Sequence, residues 1–301
     1  YYGAEDAENI IILMGSATEA AREAIDYLTS EGKKVGMISV HLYRPFSVKH
    51  LFAAVPKTVK KIAVLDRTKE PGAEGEPLYL DVKSAFYDQE NRPVIVGGRY
   101  GLGSSDITPA KIISVYNNLE LPEPKNHFTV GIIDDVTFTS LPAVEEMALG
   151  GKSIYEAKFF GLGADGTVGA NKNSVKIIGD NTNKHCQAYF SYDSKKSGGF
   201  TCSHLRFGDE PIRSTYQITT PNFVACHVQA YLNMYDVTRG IRENGSFLLN
   251  TIFEGEELVN FIPNKVKRVF AQKNITVYYI NATKIAQEIG LGNRTNTILQ
   301  S

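Results

Sequence analysis

The chain has 301 residues, of which 43% are hydrophobic and 22% charged, and its formal net charge at pH 7 is -1. This is the composition of a globular protein with enough chain for two α/β domains, and the near-neutral charge without a basic block excludes general attraction to nucleic acid or anionic lipid. The longest apolar run, residues 10–14, is far too short to span a bilayer, so no membrane association is expected.

The first predicted domain, residues 1–120, alternates apolar strands with amphipathic helices. In chain order the elements are strand 9–16, helix 17–30, strand 33–42, helix 47–55, strand 60–66, helix 76–88, strand 92–98 and helix 108–119. Apolar strands that alternate with helices indicate a mostly parallel sheet covered on both faces. The sequence therefore predicts a doubly wound α/β domain.

Residues 121–152 interrupt this alternation with prolines at 122 and 124 and then a β-branched stretch. The prolines favour an extended, semi-rigid chain, and the stretch VTFTSL at 136–141 is suited to pairing at a sheet edge or docking on a neighbouring domain. We predict an extended linker here.

The second predicted domain, residues 153–301, is again α/β. Its strands are expected at 155–160, 186–193, 198–207, 222–227, 245–251 and 275–282, and its helices after residues 166, 229, 254 and 282. The chain starts without methionine and stops inside the patterned stretch TNTILQS. We therefore expect a piece of a longer protein whose second domain is truncated.

The most informative motif is GLGADGTVGANK at 161–172, which lies between a predicted strand and a predicted helix. Glycines at 161, 163, 166 and 169 are expected to allow positive φ and close approach of a ligand to backbone amides at the start of the helix. Helix N-termini favour anions, so this turn is predicted to hold phosphate. The alternative interpretation is that the glycines only shape a tight strand-to-helix turn.

A second phosphate is indicated by the residues that follow the next strand. The strand at 187–193 ends in Asp193 and is followed by Ser194, Lys195, Lys196 and Ser197. This cluster of hydroxyls and cations suits an additional phosphate better than an unmodified ribose. NADP and coenzyme A both fit that description, and spacing alone does not separate them.

The three cysteines, Cys186, Cys202 and Cys226, include no CxxC pair, which argues against a disulfide framework and indicates a reducing compartment. Each lies beside or near a histidine, but adjacent residues of a strand point to opposite faces, so neighbouring pairs do not easily bind one ion. No metal site is predicted, and the cysteines are expected to be structural.

Six strings, in the same order along the chain, closely resemble the pyruvate:ferredoxin (flavodoxin) oxidoreductase family. They are KIAVLDRTKEPGAEGEPLYLDV at 61–82, GGRYGLGSSDITP at 97–109, PKNHFTVGIIDDVTFTSLP at 124–142, FGLGADGTVGANKNSVKIIG at 160–179, YFSYDSKKSGG at 189–199 and SHLRFGDEPIRSTY at 203–216. The resemblance implies that the first domain has the transketolase C-terminal fold and that the second is similar to the gamma subunit of multi-subunit 2-oxoacid oxidoreductases.

The resemblance also implies an activity for the parent enzyme. The family oxidatively decarboxylates pyruvate on thiamine diphosphate with Mg, passes electrons through [4Fe-4S] clusters to ferredoxin or flavodoxin, and releases acetyl-coenzyme A and CO2. Three cysteines cannot hold a four-cysteine cluster, so the clusters and the thiamine site are expected outside this segment, and no catalytic residue is assigned here.

For this segment the resemblance implies coenzyme A binding. The positions that match the family's motif are Gly163, Ala164, Asp165, Gly166, Thr167, Lys195 and Asn296. Amides of 163–167 and the Thr167 hydroxyl are expected to hold the diphosphate, and Lys195 to contact a phosphate. Because Asp165 would repel phosphate, it is expected to face a ribose or a backbone N–H.

The expected partners are the other domains of the same polypeptide, ferredoxin or flavodoxin, and a second copy in a homodimer. Cytoplasm is the expected location, or a hydrogenosome in an anaerobic eukaryote. Two alternatives remain: a non-catalytic packing module, and the same modules in a fusion enzyme for sulfite reduction or NADP-linked pyruvate oxidation.

Overall fold

The computed structural model describes residues 1–151, 153–193, 199–292 and 294–300. These residues form two compact units. Unit 1 comprises Tyr1–Leu149 and Arg213–Tyr216, and unit 2 comprises Gly150–Ile212 and Gln217–Ser301. None of the helices in the described ranges is both long and apolar enough to cross a membrane.

Unit 1 is the predicted doubly wound domain. Its strands are β1 (Tyr2–Gly3), β2 (Asn9–Leu13), β3 (Val35–Ser39), β4 (Lys61–Asp66), β5 (Val94–Tyr100) and β6 (Phe128–Val130), and its helices are α1 (Ala17–Ser30), α2 (Val48–Ala54), α3 (Pro77–Ala85) and α4 (Pro109–Glu120). The sheet order is β1-β3-β2-β4-β5-β6, and every pairing is parallel except that of β1 with β3.

The alternation of side chains along each strand divides the core of unit 1 into two layers. On one face, Ile11 and Leu13 of β2 pack in a cluster with α1 and α4. On the other face, Ile10 and Ile12 pack with α2 and α3. A strand that is buried on both faces needs a continuous apolar run, which explains the sequence IIIL.

The segment predicted as a linker is part of unit 1. It contributes β6 to the sheet, and Leu141, Val144, Met147 and Leu149 pack against the α1 and α4 cluster. Within it, the carboxylate of Asp134 accepts hydrogen bonds from the amides of Val136, Thr137 and Thr139. The prolines at 122 and 124 do not separate this segment from the domain, because its later apolar residues pack, half-buried, against the cluster.

Unit 1 also takes up a short segment from later in the chain. Ser214 Oγ and Tyr216 Oη donate hydrogen bonds of 2.6 Å each to the two carboxylate oxygens of Glu23 in α1. All three side chains are buried, so the carboxylate is solvated by these hydroxyls instead of water.

Unit 2 has a second six-stranded sheet. Its strands are β7 (Tyr155–Leu162), β8 (His185–Asp193), β9 (Phe200–Gly208), β10 (Phe223–Cys226), β11 (Ser246–Asn250) and β12 (Thr276–Ile280), and its helices are α5 (Thr167–Asn181), α6 (Tyr231–Met234), α7 (Gly255–Phe261), α8 (Asn264–Gln272), α9 (Ala282–Glu288) and α10 (Asn296–Gln300). The predicted fold class, α/β in both halves of the chain, is confirmed.

The strand order of unit 2 is β12-β11-β10-β7-β9-β8. Strands β12, β11, β10 and β7 are parallel, whereas β9 runs antiparallel to both of its neighbours, β7 and β8. The chain therefore leaves β7 towards β8 on one side and later returns to β10 on the other. Ligands of α/β sheets bind at such a switch point, at the carboxyl ends of the parallel strands.

Two elements of unit 2 were not predicted from the sequence, α8 and α10. Helix α8 buries Val266 and Phe270, which are four residues apart, so the apolar spacing of a helix was present in the sequence. Helix α10 has no buried residue of its own and lies against α5 and α9. Its position follows from tertiary contacts and not from an apolar pattern.

Candidate functional site

The glycine motif forms the turn between β7 and α5. Among its glycines only Gly166 has a positive φ, +88°, and it is the N-cap of α5. The expectation that Gly161, Gly163 and Gly169 also need positive φ is wrong. Gly161 is required for space instead, since a Cβ atom there would lie 2.2 Å from Thr167 Oγ1.

Asp165 holds the turn closed. Its Oδ2 accepts a hydrogen bond of 2.7 Å from the amide of Leu162, and its Oδ1 accepts one of 2.8 Å from the amide of Thr167. Of the two expected arrangements for this carboxylate, the structure shows the one in which it faces backbone N–H groups. A negative charge at this place is favourable because it lies at the positive end of the helix dipole.

Several of the amides expected to hold phosphate already have acceptors. The amide of Gly163 donates to the carbonyl of Gly199 at 2.8 Å, that of Asp165 to the carbonyl of Leu162 at 3.3 Å, and that of Thr167 to Asp165. Within the described part of the chain, no acceptor is present for the amides of Ala164, Gly166, Val168 and Gly169. These four amides are therefore the candidates for donating hydrogen bonds to an anion.

The Thr167 hydroxyl is fully buried and does not face a phosphate site. Its Oγ1 lies 2.7 Å from Nδ1 of His227, the residue that follows β10. Burial lowers the pKa of His227 to about 4, against a smaller opposing effect of the Asp165 charge, so its imidazole is neutral at pH 7. The hydroxyl thus supports the junction of α5 with β10, a role that the sequence motif did not indicate.

Asn296 is brought to the glycine turn by the fold. A Cβ atom added to Gly166 would lie only 2.7 Å from Cβ of Asn296, so the two residues are in direct contact. The neighbouring Thr295 donates from Oγ1 to the carbonyl of Asp165 at 3.3 Å. Residues 163–167 and Asn296, which are far apart in sequence, therefore lie together.

Lys195 lies outside the described residues, as does Lys196. The residues on either side of this stretch are described. Asp193, the last residue of β8, pairs with Phe200 of β9, and Phe200 pairs with Leu162 at the end of β7. The segment that carries the two lysines therefore starts and ends at the same edge of the sheet as the glycine turn.

A cavity of about 460 Å³ opens at this edge, beyond the ends of β7, β10, β11 and β12. The residues that line it are Leu162, Asp165, His227, Val228, Gln229, Asn250, Thr251, Ile252, Asn281, Thr283 and Thr295. Apart from Asp165, none of them was predicted as a site residue. The available signal was that three consecutive predicted strands each carry a polar residue at or next to their carboxyl end: His227, Thr251 and Asn281.

Asn250 joins the strand ends that form this cavity. Its Nδ2 donates to the carbonyl of His227 at 3.1 Å, and its Oδ1 accepts from the amide of Ala282 at 3.0 Å. One side chain therefore fixes the residues that follow β10 and β12 relative to the end of β11. The cavity wall is held by side-chain hydrogen bonds as well as by the sheet.

Two of the three cysteines of unit 2, Cys202 and Cys226, are suited to packing and not to chemistry. Cys202 and Cys226 are buried, and burial raises their pKa values to about 11 and about 12, so both are protonated thiols at pH 7. In the described ranges, no three His, Cys, Asp or Glu side chains are grouped so as to hold a metal ion.

Two protein-family models match the chain. Residues 156–301 match "Pyruvate ferredoxin/flavodoxin oxidoreductase", and residues 7–112 match "Pyruvate:ferredoxin oxidoreductase core domain II". The first match covers most of unit 2 and the second most of the doubly wound sheet of unit 1.

Individual relatives are similar over the whole chain. A pyruvate-flavodoxin oxidoreductase of Enterobacter agglomerans is 56% identical over 302 residues, and a pyruvate:ferredoxin oxidoreductase of Moorella thermoacetica is 52% identical over 301 residues. Each alignment covers 100% of this chain and 26% of the relative. The chain thus spans about a quarter of the length of these curated relatives.

Among solved structures, the PORC subunit of pyruvate oxidoreductase from Thermotoga maritima is 20% identical, with a TM-score of 0.38. That similarity covers 50% of this chain and 74% of the subunit.

Proposed function

This chain belongs to the pyruvate ferredoxin/flavodoxin oxidoreductase family, and we propose that it is the part of such an enzyme that binds coenzyme A. The parent reaction converts pyruvate and coenzyme A to acetyl-coenzyme A and CO2, and two electrons pass to ferredoxin or flavodoxin. This segment supplies a binding surface and a scaffold, and the bond-breaking steps belong to other parts of the enzyme.

The observation that carries this proposal is the turn at the start of α5. It lies at the switch point of the unit 2 sheet, and the amides of Ala164, Gly166, Val168 and Gly169 lack acceptors in the described part of the chain. A diphosphate placed there would receive several N–H donors and the favourable field of a 15-residue helix. The coenzyme A diphosphate is the group that we assign to this place.

The predicted site residues take different roles in this arrangement. Gly163, Ala164 and Gly166 form the turn, and Ala164 and Gly166 offer amides to the diphosphate. Asp165 keeps the turn closed by accepting a hydrogen bond from the amide of Thr167. Thr167 is the first residue of α5, and its hydroxyl contacts His227 and not the ligand. Lys195 contributes a positive charge to a phosphate, and Asn296 an amide group from the side of α10.

The thiamine diphosphate, Mg and [4Fe-4S] clusters of the parent are assigned to other parts of the polypeptide. The chain's three cysteines do not fit a four-cysteine cluster, and two of them are protonated and buried. The proposed partners are those other parts, a second copy in a homodimer, and ferredoxin or flavodoxin. A reducing compartment such as the cytoplasm suits the three free cysteines.

A packing role for unit 1 is favoured by one specific feature. Ile133, Val136 and Phe138 are largely exposed in the loop that Asp134 holds rigid. Exposed apolar side chains on a fixed loop are typical of a protein contact surface. We propose that unit 1 docks against other parts of the longer enzyme, which is compatible with coenzyme A binding by unit 2.

Calorimetric titration of the protein with coenzyme A tests the binding role. The variant Lys195→Gln is expected to weaken binding by about tenfold or more, the usual effect of losing a charged hydrogen bond. Lys176→Gln, on the exposed surface of α5, is the matched control and should bind like the wild type. No heat from folded wild-type protein at millimolar coenzyme A would count decisively against the proposal.

A further inference from the structure

We propose that unit 1 has a binding site for an α-amino acid with an apolar side chain, in a cavity at the carboxyl ends of β2, β4 and β5. The guanidinium of Arg67 binds the carboxylate of the ligand, and the carboxylate of Asp66 accepts hydrogen bonds from its ammonium group. Both residues line the cavity. This inference goes beyond the proposed function, because it concerns the other unit and does not depend on whether unit 2 binds coenzyme A.

The cavity lies at the switch point of the unit 1 sheet and has a volume of about 420 Å³. The chain leaves β2 towards β3 on one side and later returns to β4 on the other. Gly15 shortly after β2, Asp66 at the end of β4 and Tyr100 at the end of β5 all line the cavity. Parallel α/β sheets bind ligands at this position, and small-molecule sites occupy roughly 300–1,000 Å³.

The charges of the lining favour a zwitterion over a simple anion or cation. Of the described residues, Asp66 and Arg67 are the two charged ones that line the cavity. Neither forms an ion pair with a described side chain. Asp66 would repel a phosphate, and Arg67 would repel an amine that lacks a carboxylate. Because the two residues are consecutive in the chain, a ligand whose opposite charges are close together, as in an α-amino acid, suits them.

The carboxylate of Asp66 is buried and has acceptor positions left for a ligand. Its Oδ1 accepts a hydrogen bond of 3.0 Å from the amide of Leu78, and its Oδ2 accepts one of 3.1 Å from the amide of Tyr79. An ionised carboxylate has about four acceptor positions, so about two remain. Burial raises the pKa of Asp66, against the effect of the two amides, because its charge is incompletely solvated. An ammonium group would supply charge-assisted hydrogen bonds to it.

The guanidinium of Arg67 is available to a carboxylate. Its Nε donates a hydrogen bond of 3.3 Å to the carbonyl of Gly101, which holds the side chain beside the end of β5. The two NH2 groups of Arg67 have no partner among the residues that the structure describes. A guanidinium presents parallel N–H donors that match the two oxygens of a carboxylate. Arg67 and Asp66 therefore offer complementary partners for the two ends of a zwitterion.

The remaining lining favours an apolar ligand side chain. Met14, Leu65 and Pro77 line the cavity together with the rings of Tyr43 and Tyr100. Both phenol groups already donate hydrogen bonds, to a carboxylate of α3 and to a backbone carbonyl after β2. These five residues therefore contribute mainly carbon surface, on which an aliphatic or aromatic side chain can pack.

The test is isothermal titration calorimetry on the 301-residue protein with leucine and three analogues of it. The hydroxy acid 2-hydroxy-4-methylpentanoate and the oxo acid 4-methyl-2-oxopentanoate keep the carboxylate but lack the ammonium group. The amine 3-methylbutylamine keeps the ammonium group but lacks the carboxylate. Each analogue should bind about tenfold or more weakly than leucine, since each loses one charge-assisted interaction.

The variant Arg67→Gln should weaken leucine binding by about tenfold or more and leave the affinity for 3-methylbutylamine unreduced. Arg92→Gln is the matched control, because Arg92 is also an exposed arginine of unit 1 that donates to one backbone carbonyl, that of Tyr87 at 3.2 Å. It does not line the cavity. Circular dichroism of both variants establishes that they are folded.

Three results would overturn the inference. The first is no binding of leucine, methionine or phenylalanine to the folded wild-type protein at millimolar concentration. The second is a hydroxy acid or oxo acid that binds as tightly as leucine, which would mean that Asp66 does not receive an ammonium group. The third is equal leucine affinity in Arg67→Gln and Arg92→Gln. None of these results bears on coenzyme A binding by unit 2, which is measured separately.

Discussion

Oγ1 of Thr167 lies 2.7 Å from Nδ1 of His227, and this contact ties the start of α5 to the end of β10. Both side chains are buried, with exposures of 0% and 5%. The pair lies beneath the turn that we propose to hold a diphosphate. It therefore links the stability of unit 2 to the geometry of the site.

Replacement of Thr167 by valine should destabilise unit 2 without removing a ligand contact. Valine has a similar shape but leaves Nδ1 of His227 without its partner, at a cost of about 1–3 kcal/mol. Urea unfolding monitored by circular dichroism measures the change. Thr167→Ser keeps the hydroxyl and should lose less. A Thr167→Val protein as stable as the wild type would contradict the importance of this contact.

The stability of unit 2 should fall as the pH is lowered below neutrality. Burial lowers the pKa of His227 from 6.5 to about 4 and that of His204 from 6.5 to about 3. Below pH 6.5 the unfolded chain therefore binds more protons at these histidines than the folded protein does. The stabilisation is fully present above pH 6.5 and is lost as the pH falls towards 4. Each histidine should account for about 2 kcal/mol between pH 7 and pH 5.

Urea unfolding at a series of pH values measures this dependence. His227→Gln removes one of the two titrating groups, and its unfolding free energy should vary less with pH than that of the wild type. Parallel curves for the two proteins would show that His227 is not held neutral by the fold.

Replacement of two glycines of the motif by alanine should change the stability of the protein in opposite directions. At Gly166, alanine has to adopt a φ near +88° and its Cβ would lie 2.7 Å from Asn296, so a loss of about 1–3 kcal/mol is expected. At Gly169, inside α5, an added Cβ meets no atom within 4 Å. Alanine there should stabilise the helix by about 0.5–1 kcal/mol.

Thermal unfolding of both alanine variants provides the comparison. A lower melting temperature for Gly166→Ala and an unchanged or higher one for Gly169→Ala are expected. Equal effects at the two positions would mean that the contact of Gly166 with Asn296 is not as close as the structure shows.

Replacing the buried carboxylate of Glu156 should lower the free energy of unfolding far more than replacing the exposed carboxylate of Asp209, which directly follows β9. It accepts a hydrogen bond of 2.7 Å from Nε of Arg206, which is 2% exposed, and a second one from Arg242. Glu156→Gln removes the negative charge that Arg206 and Arg242 both contact and should cost about 3–5 kcal/mol.

Asp209, which pairs with Lys184 at 2.8 Å on the surface, supplies the control. Asp209→Asn should change the free energy of unfolding by less than about 1 kcal/mol, because solvent screens exposed ion pairs. The comparison is made by denaturant unfolding, and similar losses in the two variants would contradict it.

Sequence patterns determined the fold class and most of the secondary structure of this protein. Apolar runs and amphipathic segments depend on local burial, so most strands and helices were predicted, and the glycine motif was placed correctly between β7 and α5. The short strands β1 and β6 and the helices α8 and α10 were not predicted. The ordered strings identified the family, which the comparisons confirm. These features are local, and they do not depend on which strands become neighbours.

The tertiary structure alone decided which residues meet at the site. The insertion of β9 between β7 and β8, the contact of Asn296 with Gly166, and the pairing of Thr167 with His227 depend on strand order and on long-range packing. The hydrogen bond from the Thr167 amide to Asp165 is local, and it leaves fewer donors for a phosphate than a glycine motif suggests. A sequence lists potential donors and acceptors, but only the folded chain shows which of them its own polar groups already occupy.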